Sequence, residues 1–329
     1  MVCDMKEIQI RKNDAGQRLD RFVGKAVPLL PESLLQKYIR LKRIKRNGKG
    51  AKRDVRLVEG DVLQLYINDE FFERPTEQNA WLKIATPRLD IVYEDENILL
   101  ADKKPGVLCH SAGEWSWDTL ISNIQAYLRQ NGQWDPKAEN AFTPALCNRI
   151  DRNTGGIVIA AKNAEALRIL NEKIRDREIE KFYLCAVSGR PRPASGRLEN
   201  YLFKDAKKNQ VFIKDKPEPG CKTAVTEYRV LCSKGQLSLV ECRLLTGRTH
   251  QIRAQMAHAG WPLLGDGKYG RERFNKDFGE NGQALYSYRL RFEFPTDAGV
   301  LEYLRGKEFQ VERVDFAEKY FGVTELDFE

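Results

Sequence analysis

The sequence predicts a globular protein built from both helices and strands, with a small basic region ahead of a larger domain. Three observations support this prediction. The chain has 329 residues, which suggests two domains or one large domain with an appendage. Segments with the apolar spacing of helices are interleaved with short β-branched apolar runs. The whole net charge of +8 lies in residues 1–67, where 16 Lys and Arg oppose 8 Asp and Glu.

Composition argues against several classes of protein. The chain is 42% hydrophobic, which is enough for a core, yet no apolar run approaches the length of a membrane span. Met1 to Lys12 holds no apolar segment of the kind found in signal peptides. Seven cysteines, an odd number without a Cys-x-x-Cys pair, predict reduced thiols in a cytosolic protein. His250 and His258 are too far apart in sequence for a helical metal pair, so no metal is expected.

The basic region predicts a surface that binds a polyanion. Gln17 to Val27 and Glu32 to Arg40 have helical apolar spacing, and Asn47-Gly48 predicts a hairpin before the strand Val62 to Ile67. Nine basic residues lie between positions 40 and 56, opposed by one carboxylate. Such localised charge favours phosphate groups. The candidates for contact with this polyanion are Arg43, Lys45 and Arg46.

The order of these elements resembles the alpha-L RNA-binding domain. The resemblance rests on the stretches RLDRFV and EGDVL and on Ile44-x-x-Asn47-Gly48. Glu32-Ser33-Leu34 departs from the Ser-Arg that usually stands near the start of the second helix. We therefore expect an RNA-binding domain over residues 1–67. Residues 68–88 mix acidic, aromatic and proline residues without a clear period, which predicts a linker.

The stretch from Cys147 to Ala161 is the most informative part of the larger domain. Ile157 to Ala161 predicts a strand buried on both faces, entered through Gly155 and Gly156. Asp151 precedes it, flanked in sequence by Arg149 and Arg152. A carboxylate held between two guanidinium groups should stay ionised, as a nucleophile requires. The alternative is an Asp that binds loop amides and pairs with a surface arginine.

The remaining elements of the larger domain are predicted from apolar period and from breaker residues. The predicted helices are Asp118 to Gln130, one capped by Asn163, and Thr249 to Ala259. The predicted strands are Leu89 to Tyr93, Ile98 to Lys103, Lys181 to Val187, Ala224 to Val230, Leu237 to Leu245 and Ala284 to Phe294.

Three further residues are candidates for the site. Arg248 lies at a junction of strand and helix, which favours anion binding. Tyr183 lies on a strand, and His110 lies in a loop. The structural alternatives are an arginine that braces its loop, a core tyrosine and a histidine that forms a loop hydrogen bond.

Four long motifs resemble the RluA family of pseudouridine synthases, and the N-terminal module is similar to that of its larger RluC/RluD-type members. The motifs are RIDRNTGGIVIAAK, KFYLCAV, LLTGRTHQIRAQMAHAGWPLLGD and KKPGVLCHSAG. The resemblance spans the chain from about residue 16 to about residue 294. Asn148 departs from the family, which usually has His at that position, but Asn can keep the side-chain hydrogen bond.

The resemblance implies the fold and the roles of the site residues. The implied fold is α+β, with a mixed, mainly antiparallel central sheet of the pseudouridine synthase type and flanking helices over residues 89–329. A small N-terminal α/β RNA-binding domain precedes it. Asp151 would be the essential carboxylate, Tyr183 the active-site tyrosine and Arg248 its basic partner, while Arg149 would help to displace the target base. His110 would line the RNA site, and neither a metal nor an organic cofactor is implied.

The implied activity is the isomerisation of uridine to pseudouridine in RNA. Ribosomal large-subunit RNA is the favoured substrate and transfer RNA the second, with a monomeric cytoplasmic enzyme. Two alternatives remain at this point. An Asp-nucleophile phosphatase is disfavoured because Asn153 stands where a second carboxylate should hold magnesium. A non-catalytic RNA-binding assembly factor would explain the basic region but not Asp151, Tyr183 and Arg248.

Overall fold

The computed structural model describes residues 5–11, 14–74, 76–111, 116–136, 142–205, 208, 210–278 and 282–328. The chain forms two compact units. The first comprises Met1–Arg88 and His110–Asp135, and the second Leu89–Cys109 and Pro136–Glu329. Within the motifs above, Ala112 and Gly113 lie outside the described residues, as do residues 1–4 and Lys12 at the N-terminus. None of the described helices combines the length and the apolar character needed to cross a membrane.

In its described residues the first unit contains a four-stranded antiparallel sheet and three α-helices. The sheet has the order β1-β4-β2-β3. Its elements are β1 (Lys6–Gln9), α1 (Leu19–Ala26), α2 (Glu32–Arg40), β2 (Ile44–Arg46), β3 (Lys49–Gly50), β4 (Val62–Leu65) and α3 (Leu120–Gln130). The two predicted N-terminal helices are confirmed, and Leu19, Phe22 and Val23 of α1 are buried as their spacing predicts.

Residues 68–88 are more compact than the predicted linker. They form two 3₁₀ helices, Asp69–Phe72 and Glu77–Lys83. Phe71 and Leu82 are buried in the core of the first unit, and the Trp81 ring meets Trp134 edge-on at 5.5 Å between centroids. The aromatic residues that obscured the period in this segment therefore belong to a core. The division into an RNA-binding domain, a linker and a catalytic domain remains a prediction.

The second unit is built on an eleven-stranded sheet. Its main path has the order β11-β10-β12-β13-β9-β14-β8-β6-β5, with β15 paired to β14 and β7 to β8. The strands are β5 (Ile91–Glu94), β6 (Ile98–Lys103), β7 (Ala145–Leu146), β8 (Gly155–Ala161), β9 (Ile179–Ser188), β10 (Ser195–Asp205), β11 (Gln210–Lys214), β12 (Lys222–Lys234), β13 (Leu237–Leu244), β14 (Leu285–Phe292) and β15 (Glu308–Gln310).

Pairing in this sheet is parallel between β8 and β14 and antiparallel between the other described neighbours. The predicted α+β class with a mixed, mainly antiparallel sheet is therefore confirmed. The helices of this unit are α4 (Ala164–Arg175), α5 (Gln251–His258), α6 (Glu272–Phe278) and α7 (Asp315–Phe321), with a 3₁₀ helix at Gly299–Leu304. Asn163 caps α4 as predicted, since its side chain accepts a hydrogen bond from the Ala166 amide.

Two glycines bring β8 directly against β14. A Cβ atom at Gly155 would lie 2.2 Å from Cε2 of Tyr286, and one at Gly156 would lie 2.2 Å from the Ser287 carbonyl oxygen. Gly156 also has φ +112°, a backbone conformation that L side chains rarely adopt. All seven residues of β8 are buried, as the apolar run predicts. The two glycines thus fix where the chain leaves the Asp151 loop and enters the sheet.

The C-terminal residues complete the core of the second unit. β14 lies between β8 and β9, and the chain after it folds back over the same core. Buried contributors from that stretch are Leu301, Leu304, Val311, Val314, Ala317 and Leu326. The sequence of this stretch carried no functional signal, and its role in the fold is to cover the sheet.

Candidate active site

The Asp151 loop is a tight turn, and the Lys103 side chain stabilises it by hydrogen bonding to its backbone. The Thr154 amide donates to the Asp151 carbonyl at 3.1 Å, which closes the turn. The Lys103 ammonium and the Gly106 amide both donate to the Arg152 carbonyl at 2.9 Å. The backbone next to Asp151 is therefore fixed, because two donors bind the Arg152 carbonyl. The Asp151 side chain remains about one quarter exposed, at 27%.

Lys103 is a site residue that the sequence reading did not single out. Its side chain is buried, and it also donates to the carbonyls of Lys104 and Val107. Burial lowers the pKa of Lys103 to about 8. The available signal was its place in the KKPGVLCHSAG motif, but a lysine in a strand gives no hint that it will be buried.

The Asp151 carboxylate is bound by Arg253. The Arg253 Nη1 group donates to Oδ2 of Asp151 at 2.7 Å. The same guanidinium donates from Nε and Nη2 to the two oxygens of Asp266, at 2.7 and 3.0 Å. One buried arginine therefore joins two carboxylates, with a bidentate pair on the side away from Asp151.

The prediction that Arg248 pairs with Asp151 is wrong. Arg248 is exposed, and its Nε donates to the Thr223 carbonyl at 3.0 Å. The sequence reading placed Arg253 off the apolar face formed by Ile252 and Met256, which is correct. The Arg253 side chain is nevertheless buried and not exposed to solvent, because Asp266 provides a buried polar partner on the same side.

Asp266 holds the Arg253 guanidinium in place. Its side chain is fully buried. Burial alone would raise the pKa of Asp266, but the Arg253 charge and hydrogen bonds, with the amides of Lys268 and Tyr269, lower it. The pair leaves Nη1 as the arginine group that faces Asp151. Asp266 is the last residue of the LLTGRTHQIRAQMAHAGWPLLGD motif, but the spacing of residues in the sequence does not predict its contact with Arg253.

His250 is the second polar group beside Asp151. Its Nε2 lies 3.7 Å from Oδ2 of Asp151, and its Nδ1 lies 2.9 Å from the Tyr269 hydroxyl. The backbone at His250 is left-handed, with φ +52°, and α5 begins at the next residue. Burial is the main cause that lowers the pKa of His250, so the imidazole is neutral at neutral pH.

A buried glutamine fixes the loop between β13 and α5. The Gln251 Oε1 atom accepts hydrogen bonds from the Arg248 amide at 3.0 Å and from the Thr246 hydroxyl at 2.7 Å. Its Nε2 donates to the Val225 carbonyl at 3.0 Å. This side chain thereby ties the loop to β12, and it sets the starting point of the helix that carries Arg253.

Tyr183 lies in the hydrophobic cluster beneath the site, next to residues that adjoin Asp151 and Arg253 in sequence. It is buried on β9 in a cluster that includes Ile150 and Ile252, the residues that precede Asp151 and Arg253. Burial, with a smaller contribution from the Asp151 charge, raises the pKa of Tyr183 to about 12. The hydroxyl therefore stays protonated near neutral pH, which suits ring stacking or hydrogen-bond donation better than proton abstraction.

The arginines that flank Asp151 in sequence have other positions in the structure. Arg149 is exposed, and the Arg152 Nε donates to the Gly106 carbonyl at 3.0 Å. The predicted clasp of Asp151 between these two guanidinium groups is therefore replaced by the contact with Arg253. Asn148 keeps the hydrogen bond expected of it, since its Oδ1 accepts from the Ile159 amide at 2.8 Å.

The candidates for RNA contact in the first unit differ in availability. Arg43 is exposed over the Tyr38 ring, and Lys45 lies over the Tyr66 ring, each about 5.1 Å from the centroid. Arg46 is tied up in an ion pair with the buried Asp61, at 2.6 Å from Nε to Oδ2. His110 also belongs to this unit and is exposed.

A second basic patch of the first unit was not identified from sequence. It surrounds a cavity of about 410 Å³ at the start of α1. The residues that line this cavity are Gly16, Gln17, Arg18, Arg21, Lys25 and Arg56. Arg18 is paired with Asp20 at 2.6 Å, whereas Arg21, Lys25 and Arg56 are exposed.

Comparisons with known proteins identify the family of this chain. Residues 97–258 match a family model described as RNA pseudouridylate synthase. An uncharacterised RNA pseudouridine synthase of Mycoplasma genitalium is 33% identical over 86% of this chain and 88% of that protein. The ribosomal large subunit pseudouridine synthase C of Vibrio parahaemolyticus is 28% identical over 93% of this chain and 94% of that protein.

The fold comparison points the same way. The solved structure of human RNA pseudouridylate synthase domain containing 4 covers 69% of this chain and 89% of its own, with a TM-score of 0.53 and 20% identity. That likeness shows the fold, and the sequence relatives show the family. The chain belongs to the RluA family of RNA pseudouridine synthases, isomerases that convert uridine in RNA to pseudouridine.

Proposed function

We propose that the substrate of this enzyme is large-subunit ribosomal RNA and that Asp151 acts at the ribose of the target uridine. The substrate is supported by relatives named ribosomal large subunit pseudouridine synthase C, of Vibrio parahaemolyticus, and D, of Neisseria meningitidis; the latter is 30% identical over 88% of this chain. The role of Asp151 is supported above all by one observation, the 2.7 Å contact with buried Arg253, which orients a partly exposed carboxylate.

The chemistry requires a carboxylate and little else from the protein. The bond between C1′ and N1 breaks, the uracil rotates, and a bond forms between C1′ and C5. The proton on C5 leaves and N1 gains one, so no atom is added and no electron is transferred overall. Asp151 starts the reaction either by attack on C1′ or by taking the proton from C2′. Tyr183 offers a neutral ring and hydroxyl next to the rotating base.

Cationic side chains are proposed to bind the RNA around this reaction. Arg149 and Arg248 are exposed near the ends of the Asp151 loop and of α5, which suits phosphate or base contacts beside the flipped uridine. In the first unit we assign RNA binding to the hairpin with Arg43 and Lys45 and to the patch with Arg21, Lys25 and Arg56. His110 is retained as a candidate RNA contact.

The enzyme is proposed to work as a cytoplasmic monomer. Seven cysteines without a Cys-x-x-Cys pair suit a reducing compartment. Sedimentation of the active protein at assay concentration checks the monomer, and a dimer that carries the activity would contradict it.

The substrate is tested by mapping pseudouridines in cells that lack this protein. We expect one or more positions of large-subunit ribosomal RNA to lose the modification and to regain it when the gene is restored. The purified protein should release tritium from C5-labelled uridine in that RNA. Loss of transfer-RNA positions alone would contradict the assignment to ribosomal RNA. Ribosomal and transfer RNA that are both unchanged would contradict both substrates.

A further inference from the structure

The tautomer of His250 follows from the hydrogen bonds of Tyr269. The Val211 amide donates to the Tyr269 hydroxyl oxygen at 2.8 Å. A phenol oxygen has one hydrogen and one strongly favoured in-plane acceptor direction, and the amide occupies the acceptor direction. The hydroxyl hydrogen is left for the other neighbour, Nδ1 of His250, at 2.9 Å. Nδ1 is therefore the acceptor, and the imidazole proton lies on Nε2.

The proton on Nε2 faces the same carboxylate oxygen that Arg253 binds. Nε2 lies 3.7 Å from Oδ2 of Asp151, which is longer than a hydrogen bond but close enough to tighten when substrate excludes water. Arg253 already donates to Oδ2 at 2.7 Å. Among the residues that the structure describes, no donor is found within hydrogen-bond distance of Oδ1. The two oxygens of Asp151 are therefore in different environments.

We propose that His250 is a positioning residue, which together with Arg253 holds Oδ2 of Asp151 so that Oδ1 is the oxygen that reacts at the ribose. The proposal rests on the proposed role of Asp151. If Asp151 attacks, Oδ1 gives an electron pair to C1′ while the C1′–N1 pair leaves with the uracil. If Asp151 acts as a base, Oδ1 takes the C2′ proton, and the C–H pair becomes a C1′–C2′ double bond as the uracil leaves.

Two donors on one oxygen matter because a carboxylate with a single contact can rotate and exchange its oxygens. A displacement of about 1 Å at a reacting atom can reduce the rate about 100-fold. The groups that face His250 are Asp151, Arg253, Asp266, Lys268 and Tyr269. Among these the imidazole remains neutral, so it orients the carboxylate without adding a second charge to Oδ2.

Two substitutions at His250 distinguish the effect of losing the Nε2 donor from the effect of the left-handed backbone. In His250→Gln the amide nitrogen lies near the position of Nε2 and can still face Asp151. In His250→Asn the shorter amide lies near the position of Nδ1 and can reach only Tyr269. The left-handed backbone, with φ +52°, favours Asn over Gln. The variant with the better backbone is thus the one that lacks the donor.

The test is single-turnover tritium release from C5-labelled uridine at saturating RNA. We expect His250→Gln to stay within about tenfold of the unsubstituted enzyme and His250→Asn to fall about 100-fold. RNA affinity should change by less than about threefold in both, because phosphate contacts dominate it. If Asn is as active as Gln or more active, backbone strain explains the position and the proposal is wrong.

A spectroscopic measurement tests the tautomer itself. The chain has three histidines, so the ¹⁵N spectrum of the histidine-labelled protein is simple, and the His250 signals are those lost in His250→Gln. We expect the proton on Nε2 in the intact protein and a mixture of tautomers in Tyr269→Phe. A proton on Nδ1 in the intact protein would overturn the proposal. Turnover by Asp151→Asn would instead remove the proposed role of Asp151, whatever the tautomer.

Discussion

Positive charge is used in opposite ways in the two units. At Asp151 the cation is buried and fully engaged, since the Arg253 side chain is 7% exposed and its three donors serve two carboxylates. In the first unit the side chains of Arg43, Arg21 and Lys25 are exposed. A buried cation fixes geometry and is hardly screened by salt, whereas exposed cations attract phosphate in a salt-dependent way. Chemistry and affinity should therefore respond to different substitutions.

The largest expected effect is that of Asp151→Asn. The amide keeps the size of the side chain but provides no nucleophile or base at the ribose, so turnover should fall to background. RNA affinity should stay within about tenfold, because phosphate contacts dominate binding. Tritium release and binding are measured on the same preparation, after a check for deamidation. Asp215→Asn, at an exposed carboxylate, is the matched control. Substantial release by folded Asp151→Asn would remove it from the mechanism.

The next effect separates the two arginines of one motif. Arg253→Lys should lose turnover by about 100-fold or more, because a single ammonium cannot serve Asp151 and Asp266 in the same geometry. Arg248→Lys should lose no more than about threefold, because the exposed side chain has only its Nε bonded to the Thr223 carbonyl among the described residues. Single-turnover rates decide between them. Equal losses of turnover in the two variants would mean that the motif acts through its charge and not through the hydrogen bonds of the buried Arg253 guanidinium.

A smaller effect is expected from the exposed cations of the hairpin. A triple variant Lys42→Gln, Arg43→Gln, Lys49→Gln should weaken RNA binding by about tenfold. It should also reduce the salt slope by about one unit per lost phosphate contact. The control removes three exposed cations from the second unit, Arg168, Lys234 and Lys307. An equal loss in both triples would show a general charge effect and no hairpin contact.

Substitution of side chains is a better test here than removal of residues 1–67. Phe71 and Leu82 lie outside that range but are buried in the first unit's core. Deletion would expose both of them, and weaker RNA binding could then follow from misfolding rather than from lost charge.

The smallest effect concerns stability and is expected for Arg46→Gln. Burial raises the pKa of Asp61, but Arg46, the Val58 amide and Asn47 together lower it below its ordinary value. A lowered carboxylate pKa stabilises the fold above the unfolded pKa of about 3.9, and this contribution is lost as pH falls through the folded value. The variant should therefore be about 1 kcal/mol less stable at pH 7, with a difference that shrinks below pH 4. Thermal unfolding measures it, with Arg43→Gln as control, and a difference that grows in acid would contradict the account.

Much of the fold could be predicted because its signals are local. The apolar run of β8, the Asn163 cap and the Asn47-Gly48 hairpin, whose residues have φ +51° and +77°, each depend on neighbours within a few residues. The edge strand β11 and its neighbour β10 were missed because their burial is partial and irregular. The mixed, mainly antiparallel character of the sheet came from the family resemblance, and the order of its strands was not predicted.

The site was predicted less completely, for a physical reason. Asp151 and Tyr183 were assigned to the site through the family resemblance, because the glycine turn and the strand at their positions also fit structural roles. The pairing of Arg253 depends on Asp266, thirteen residues later, and the tautomer of His250 depends on Tyr269 and on the Val211 amide. A buried polar partner leaves no trace in apolar periodicity. The basic residue implied by the resemblance was therefore assigned to Arg248, at the junction of strand and helix, and not to Arg253.

The placement of β14 also determines when this protein can mature during its synthesis. β8 and β9 are made first, the strand that joins them is made more than ninety residues after the end of β9, and Leu326, which packs in the same core, is made later still. A nascent chain that still lacks β14 thus exposes the edges of β8 and β9 with which β14 pairs in the folded protein. The enzyme can become active only after β14 and the core residues that follow it have left the ribosome, and a chain that stops before them should be degraded rather than act as a slower catalyst.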